Sequence, residues 1–394
     1  YKDKKDLQQG DKVIALSLDV DSDAVASILS EKAAQLNQEA VDNGLVRENG
    51  AFKIIKGEQG IEVNVEDSIA AIENYISSEW DGGNAEIELV AEVVEPRGSE
   101  EDLEQITDMM GSYTTNYKDS GQNRCDNISN ATSKINGTLL YPGEEFSVYE
   151  AIGPLDAANG YELAGAYENG QTVESYGGGV CQVSTTLYNA VILAELEITQ
   201  RSNHSMIVSY VKPSMDAAIA GDYKDLRFVN NQDIPIYIEG YTEGKNVTFK
   251  IYGHDTRPSN RVVTYESEVV SEQDPGTQYV ATGDPAGYMK TAQGKHIGYV
   301  ARLWKVVTVD GVEESREIFN KSTYKASPKI VNVGTASADP NVSAVIGAAL
   351  ATGDEATINA AVAPYAASAA AILNPAPVEQ PSQEEQAITG TVDE

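Results

Sequence analysis

The segment YGGGVCQVSTTLYNAVILA, residues 176–194, decides how the rest of the sequence is interpreted. Three glycines precede Val180 and Cys181, and the apolar residues that follow recur at the spacing of a buried helical face. Cys181 therefore stands at or beside a predicted helix N-terminus, where free backbone N–H groups and the helix dipole favour a thiolate. Because glycine lacks a Cβ, a substrate can come close to the sulfur. We predict that Cys181 is an accessible nucleophile.

Composition limits the classes of partner. The chain has 394 residues and is 41% hydrophobic, enough for two or three domains with cores. With 28 basic and 61 acidic residues its net charge is −33, so the basic footprint of a nucleic-acid-binding protein is absent and no nucleic acid is expected. No apolar run approaches the roughly 20 residues of a membrane span. The chain starts at Tyr1, so membrane attachment is expected only through a removed N-terminal anchor.

A thiol nucleophile needs a base and usually a group that orients the base. Of the three histidines, His204 follows the cysteine by a helix and a return segment, whereas His254 and His296 lie in polar stretches further on. Asp216 is predicted to accept a hydrogen bond from the second imidazole nitrogen. The alternatives are a histidine that caps a strand and an aspartate in an exposed turn.

Substrate contacts are also predicted from this region. Backbone N–H groups of Cys181 and Gln182, entered from Gly179, are predicted oxyanion donors. Arg201 and Arg227 are predicted to hold a substrate carboxylate, with surface solvation as the alternative. Cys125 lies in a polar run, and a structural bridge from it to Cys181 is the alternative to a free thiol.

Metal and cofactor motifs are absent from the sequence. There is no His-x-x-x-His, no paired Cys-x-x-Cys and no carboxylate pattern of a calcium loop. The glycines before Cys181 are not followed by Gly-Lys-Ser/Thr, so no phosphate loop is expected. We predict neither a metal nor a cofactor.

The patterns predict a multidomain α+β chain in which the helix of Cys181 packs on antiparallel strands. A helix is predicted over Leu103–Tyr117 and a strand over Met206–Val211. The predicted parts are a linker or remnant (1–12), an α+β module (13–98), a catalytic domain (103–256), a small elongated β domain (260–335) and a disordered Ala/Pro-rich tail (336–394).

Three long blocks resemble the VanW family closely. They are NRCDNISNATSKINGTLLYPGEEFSVYEAIGP (123–154), GYELAGAYENGQTVESYGGGVCQVSTTLYNAVILAELEITQRSNHS (160–205) and DLRFVNNQDIPIYI (225–238). The module at 13–98 is similar in its order of elements to a peptidoglycan-binding module that often precedes a VanW domain. Residues 260–335 resemble the G-five module of wall-associated proteins. One departure is Cys125, where the family has another residue type, and this argues against a required disulfide.

The resemblance implies L,D-transpeptidation of peptidoglycan by an extracellular, wall-associated protein, and the expected N-terminal anchor would attach the full-length protein to the membrane. Cys181 would attack the peptide bond after the third stem residue, release D-Ala and pass the acyl group to another stem. Stem peptides and glycan are the implied partners. The alternatives are a non-catalytic wall-binding scaffold and a thiol amidase or peptidase.

Overall fold

The computed structural model describes residues 20–168, 171–221 and 223–373. The predicted linker 1–12 lies outside these residues. The helices are α1 (Ser22–Leu36), α2 (Val65–Ser78), α3 (Glu100–Glu104), α4 (Gln122–Ile135), α5 (Val148–Ile152), α6 (Val180–Leu193), α7 (Pro340–Thr352), α8 (Glu355–Val362) and α9 (Ala366–Leu373), with short 3₁₀ turns at Ala157–Asn159 and Ala363–Tyr365. The mixed α+β content predicted from the sequence is confirmed.

The strands alternate with these helices in the first half of the chain and dominate after it. They are β1 (Gly44–Glu48), β2 (Ala51–Ile55), β3 (Gly60–Val63), β4 (Ala91–Val94), β5 (Asp108–Asn116), β6 (Thr138–Leu140), β7 (Glu145–Ser147), β8 (Leu163–Glu168), β9 (Gln171–Tyr176), β10 (Glu197–Gln200), β11 (Arg227–Val229), β12 (Ile236–Glu243), β13 (Asn246–Gly253), β14 (Arg261–Gln273), β15 (Thr277–Pro285), β16 (Met289–Gln293), β17 (Gly298–Val309), β18 (Val312–Tyr324) and β19 (Lys329–Ala336).

The N-terminal module, residues 20–98, is small and packs on the central module, residues 103–256. It contains the β1–β2 hairpin, the β3–β4 pair and two helices. Phe52 of β2 stacks edge-on against Tyr237 and Tyr252, with ring centroids 5.3 and 5.2 Å apart. Arg47 pairs with Glu239 at 2.8 Å. The two modules therefore share an apolar contact closed by an ion pair.

The central module holds α6 against an antiparallel sheet of order β5-β13-β12-β6, beside a smaller sheet of order β10-β11-β7. Val183, Leu187, Ala190 and Val191 of α6 are fully buried, as the apolar spacing predicts. A helix buried on nearly every side is a rigid support for the residue at its first turn.

Two predicted elements are wrong. The helix predicted over Leu103–Tyr117 ends at Glu104, and Asp108–Asn116 forms β5, paired with β13. Tyr113 and the adjacent threonines favour a strand. The apolar pattern alone fits either a helix or a strand, and pairing in the sheet stabilises the strand. The segment Met206–Val211 is irregular rather than a strand, although Met206 and Val208 are buried.

The C-terminal module, residues 260–373, contains sheets of order β14-β17-β18 and β15-β19-β16. It is joined to the central module rather than separated from it. Leu303 of β17 is fully buried in the central core, and the Tyr265 hydroxyl donates to the Ile192 carbonyl at 2.9 Å. Glu195 pairs with Arg261 and Lys305. Strand β18 lies at the edge of its sheet.

The prediction of a disordered tail is wrong for residues 340–373, which form α7, α8 and α9. Ile346 and Ile358 are fully buried in a cluster with Val331 and Val333 of β19. Alanine has the highest helix propensity, and Pro340 occupies a first-turn position where proline is tolerated. A few well-spaced Ile and Val side chains are enough to fix such helices on a sheet. Residues 374–394 lie outside the described part.

Within this tail, Glu355–Leu373 is a helical stretch of 19 residues that is long and apolar enough to cross a membrane by length and composition alone. The expectation that no such run exists is therefore wrong by that criterion. In the structure the stretch packs Ile358 and Val362 against the C-terminal module.

Candidate active site

The glycines before Cys181 permit a tight entry into α6. Gly179 is the helix N-cap, with a left-handed φ of 117°. A Cβ there would lie 3.0 Å from Ile128 Cγ1, and a Cβ on Gly178 would lie 2.6 Å from the Ala164 carbonyl oxygen. These glycines therefore let the helix start pack against α4 and β8, as well as leaving the sulfur approachable.

Cys181, His204 and Asp216 come together at this helix start. His204 Nδ1 lies 2.6 Å from Asp216 Oδ2, and the His204 backbone N–H donates to the same oxygen at 2.7 Å. With Nδ1 engaged, Nε2 is the ring nitrogen left for the thiol. The Cys181 sulfur lies 3.4 Å from both the carbonyl oxygen and the nitrogen of Ile219, so it has an acceptor as a thiol and a donor as a thiolate.

Helix α6 also fixes the segment that carries Asp216. The Thr185 hydroxyl accepts from the Ala217 N–H at 3.0 Å, and Asn189 donates to the Met215 carbonyl at 2.8 Å. Nucleophile and carboxylate are thus held by one buried helix. Thr185 ties the two segments together.

The Asp216 carboxylate is fully buried and has further donors besides His204. Arg201 Nη2 lies 3.1 Å from Asp216 Oδ1. Tyr324, at the end of β18, donates its hydroxyl hydrogen to the same oxygen and accepts from the Ser214 N–H at 2.7 Å. Ser322 of β18 accepts from Arg201 at 2.9 Å. The C-terminal module therefore orients the carboxylate that orients the imidazole.

The ionisation of the three groups is coupled. Burial raises the pKa of the Cys181 thiol, but the hydrogen bond and positive charge of His204 outweigh it and hold that pKa below its ordinary value. Burial lowers the pKa of His204, and the hydrogen bonds to Asp216 and Cys181 more than reverse this, raising it to about 9. Burial likewise opposes a charged Asp216, yet His204 and Arg201 lower its pKa. The arrangement favours a thiolate beside an imidazolium.

Gln182 departs from its predicted role. Its backbone N–H already donates to the Gly179 carbonyl at 2.9 Å, and its buried side-chain amide contacts Thr115 and Arg124. An N–H that closes the first turn is not free for an oxyanion. In the described part of the chain the Cys181 N–H has no protein acceptor, and it remains the backbone donor at this position.

The predicted roles of Arg201 and Arg227 in holding a substrate carboxylate are corrected. Arg201 is buried and its donors are engaged by Asp216 and Ser322. Arg227 lies outside the cleft and pairs with Glu145, Glu150 and Asp225. Neither guanidinium is available to a ligand at the thiol.

The thiol opens into a cleft of about 2160 Å³. Its walls come from the segments 116–124, 163–166 with 173–182, 201–205, 208–210, 218–221 with 223–224, and from the end of β18 with Lys325. A small-molecule pocket is roughly 300–1,000 Å³. The cleft is therefore large enough for a segment of a polymer.

Ser322, Tyr324 and the cleft-lining side chains of β18 were missed by the sequence interpretation. The alternation along β18 predicts which residues share a face. It does not indicate that this face meets Asp216 from more than 100 positions away. Both cysteines are free, and the Cys125 thiol donates to the Ser120 carbonyl, so the predicted alternative of a bridge is not the arrangement seen.

Alkylation should reveal the thiolate directly. Because the pKa of Cys181 is lowered, its reaction with iodoacetamide should slow only as the pH falls through that lowered pKa, below the range in which an ordinary cysteine loses reactivity. In His204→Ala the midpoint should rise toward or above the ordinary cysteine value of about 8.5. Peptide mass spectrometry at a series of pH values measures the rates, with Cys125 as the internal control. An unchanged midpoint in His204→Ala would contradict the coupling.

Tyr324→Phe tests the contact from the C-terminal module. The ring is retained, but Asp216 loses a donor and the Ser214 N–H loses its acceptor. A buried hydrogen bond to a charged group contributes about 1.5–3 kcal/mol, and we expect the free energy of unfolding to fall by this amount. Tyr299→Phe, on the facing position of β17, is the matched control and should change little. Equal denaturant midpoints for the two variants would show that the hydroxyl does not support Asp216.

Comparisons with known proteins agree with the three-part architecture. Residues 123–252 match the family described as "VanW like protein", residues 1–81 the "Putative peptidoglycan binding domain" and residues 264–336 the "G5 domain". The chain is 30% identical over 237 residues to "Uncharacterized protein YoaR" of Bacillus subtilis (strain 168), covering 60% of this chain and 76% of that protein.

Two further matches are shorter. The "Vancomycin B-type resistance protein VanW" of Enterococcus faecalis (strain ATCC 700802 / V583) is 30% identical over 118 residues, which are 28% of this chain and 42% of that protein. Among solved structures, the "IgA1 Protease G5 domain structure" is 24% identical, with 20% of this chain and 94% of that chain covered and a TM-score of 0.14.

Proposed function

Because the chain belongs to the VanW family, whose domain it combines with wall-related modules, we propose that it is a cysteine L,D-transpeptidase of the cell wall. It would join the third residues of two peptidoglycan stem peptides through a thioester on Cys181. The observation that carries the proposal is the hydrogen bond between Asp216 and His204, with that imidazole coupled to the Cys181 thiol at the start of α6, where the thiol opens to a polymer-sized cleft.

Acylation begins with the Cys181 thiolate. The sulfur attacks the carbonyl carbon of the peptide bond after the third stem residue, and the Cys181 N–H donates to the developing oxyanion. When the tetrahedral intermediate collapses, imidazolium Nε2 of His204 gives its proton to the leaving D-Ala nitrogen. The carbon–nitrogen bond breaks and a thioester remains. Asp216 keeps the imidazole oriented and stabilises its charge.

Transfer reverses these proton movements. The amine of the third residue of an acceptor stem attacks the thioester, and the neutral His204 accepts a proton from it. The carbon–sulfur bond then breaks, and the thiolate and imidazolium are restored. Water in place of the amine would release a tripeptide. The fate of the thioester therefore separates a transferase from a hydrolase.

A defined muropeptide assay tests the function. Purified protein with disaccharide-tetrapeptide should form an acyl-enzyme of the mass expected for loss of D-Ala, and then dimers joined between third residues. Tripeptide without dimers would favour a thiol amidase or peptidase. An unchanged muropeptide profile, with sacculi bound equally by wild-type and Cys181→Ala proteins, would favour a non-catalytic scaffold.

The flanking modules support a place at the wall. A peptidoglycan-binding match on one side and a G5 match on the other suggest interaction with wall polymer. We infer that the protein acts outside the membrane, on glycan-linked stems. Binding of the complete chain to purified sacculi, measured by co-sedimentation, checks this placement.

A further inference from the structure

The charge of the cleft is opposite to that of the chain. In the described residues its basic lining is Lys118, Arg124, Lys224, Lys321 and Lys325, besides Arg201, whose charge Asp216 neutralises, and its acidic lining is Asp119 and Glu174. The whole chain has 28 basic and 61 acidic residues. A cleft with low-dielectric walls and an excess of one charge attracts ligands of the other charge. The ligand of this cleft is therefore expected to be anionic.

Strand β18 uses its two faces differently. Ser322 and Tyr324 are buried and contact Arg201 and Asp216. The residues between and beside them, Lys321, Thr323 and Lys325, line the cleft, as the alternation of a strand requires. This strand and the residue directly after it thus present two ammonium groups to the cavity into which the thiol opens.

The end of β18 and the following Lys325 are held beside the segment that carries His204. The Asn203 side chain donates to the Thr323 carbonyl at 2.9 Å, and the Lys325 N–H donates to the Ser205 carbonyl at 2.7 Å. Lysines on an edge strand commonly discourage pairing with another chain. Here the segment 203–205 already covers this end of β18, so protection of the edge does not explain them.

Lys321 and Lys325 also lack acidic partners within the described residues. Lys295 and Lys305 of the same module, by contrast, are paired with Asp274 and Glu195. The Arg201 guanidinium, beside the triad, is already paired with Asp216. Lys321 and Lys325 are therefore cations that a ligand at this wall of the cleft can reach.

We propose that Lys321 and Lys325 of the C-terminal module form a subsite for the free carboxylate at the end of the stem peptide, in the cleft into which Cys181 opens. The identity of the ligand rests on the proposed function, whereas its charge follows from the cleft. A stem with a terminal carboxylate is bound, and one whose terminus is neutral is bound less well. The C-terminal module then selects the substrate as well as supporting the triad.

Binding to a protein that cannot react tests the subsite separately from catalysis. In Cys181→Ala, a fluorescent stem tetrapeptide with a free C-terminal carboxylate should bind more tightly than its C-terminal amide in an anisotropy titration. Adding Lys321→Gln and Lys325→Gln should weaken binding of the acid by about tenfold, the value for two exposed ion pairs, and leave the amide unchanged. The difference between acid and amide should shrink as salt is added.

Lys290→Gln, a matched change at an exposed lysine outside the cleft, should leave both affinities unchanged. Equal affinities for acid and amide, an equal loss for both peptides in the double variant, or no binding of either peptide would each overturn the subsite. A selective acid site without cross-linking by wild-type protein would instead overturn the proposed function and leave the subsite standing. Cross-linking by the wild-type protein without preference for the acid would overturn the subsite and leave the proposed function standing.

Discussion

Cys181→Ala should form no acyl-enzyme and no cross-linked dimers, because the thioester has no other thiol to form on. Cys125 is free, but it is not among the residues that line the cleft. His204→Ala should lower the rate of dimer formation by about 10³-fold or more, since it removes the proton donor for the leaving amine and the charge that stabilises the thiolate. Quantitative chromatography of muropeptides over time measures both variants.

Cys125→Ala is the matched control for these variants. Its thiol contacts the Ser120 carbonyl beside α4, and its removal should leave the rate within a factor of a few. Because nucleophile and imidazole act as a unit, the Cys181 and His204 double variant should be no worse than Cys181→Ala alone. Dimers formed at the wild-type rate by Cys181→Ala would exclude the thioester mechanism.

The nucleophile and its partners could be predicted because they lie close together in the sequence. The glycines before Cys181 and the helical spacing after it mark this residue as a candidate nucleophile. His204 and Asp216 follow within the next 35 positions of the sequence. The structure places the three together. Their roles in catalysis remain predictions that the variants test.

The supporting residues could not be predicted in the same way. Ser322 and Tyr324 reach Asp216 from another module, and no local pattern encodes which face of β18 meets which loop. The predicted role of Arg201 in binding a substrate carboxylate was wrong for the same reason, because the sequence does not show which groups surround it in the fold. An arginine near a proposed base can serve a ligand or a buried carboxylate, and only the burial of Asp216 decides between them.

The prediction of helix or strand was wrong where the local sequence pattern fits more than one type of element. The pattern at Leu103–Tyr117 fits a helix or a strand. Pairing with β13 stabilises the strand conformation of β5. The alanine-rich tail has few large apolar side chains. Two of them, Ile346 and Ile358, pack against Val331 and Val333 of β19 and hold the tail helices on that sheet. Composition alone underestimates such helices, because their stability comes from packing on another element.

Asp216→Ala should be the most destabilising substitution at the site. It leaves Arg201 buried with no carboxylate, and it removes the partner of the His204 imidazole and backbone N–H. Breaking a buried ion pair by removing one member costs about 3–5 kcal/mol. Thermal and denaturant unfolding of the full chain should show this loss, while Asp233→Ala on an irregular loop should be neutral.

The pH dependence of that loss follows from the shifted pKa values. Asp216 has a lowered pKa when folded, so its stabilisation is present above the ordinary aspartate value and is lost as the pH falls through the lowered one. His204 has a raised pKa of about 9 when folded, so its share is complete below its ordinary value and is lost as the pH rises through about 9. The deficit of Asp216→Ala should therefore be largest between about pH 4 and 6.5.

A second substitution separates the unpaired charge from the lost carboxylate. Arg201→Met, added to Asp216→Ala, removes the buried cation, and the double variant should recover part of the stability lost in the single one. Arg201→Met alone should also destabilise, because it leaves Asp216 without its guanidinium. Additive losses in this cycle would mean that the two charges do not interact. A coupling of the expected sign would identify Arg201 as the counter-charge that allows a buried carboxylate to orient His204.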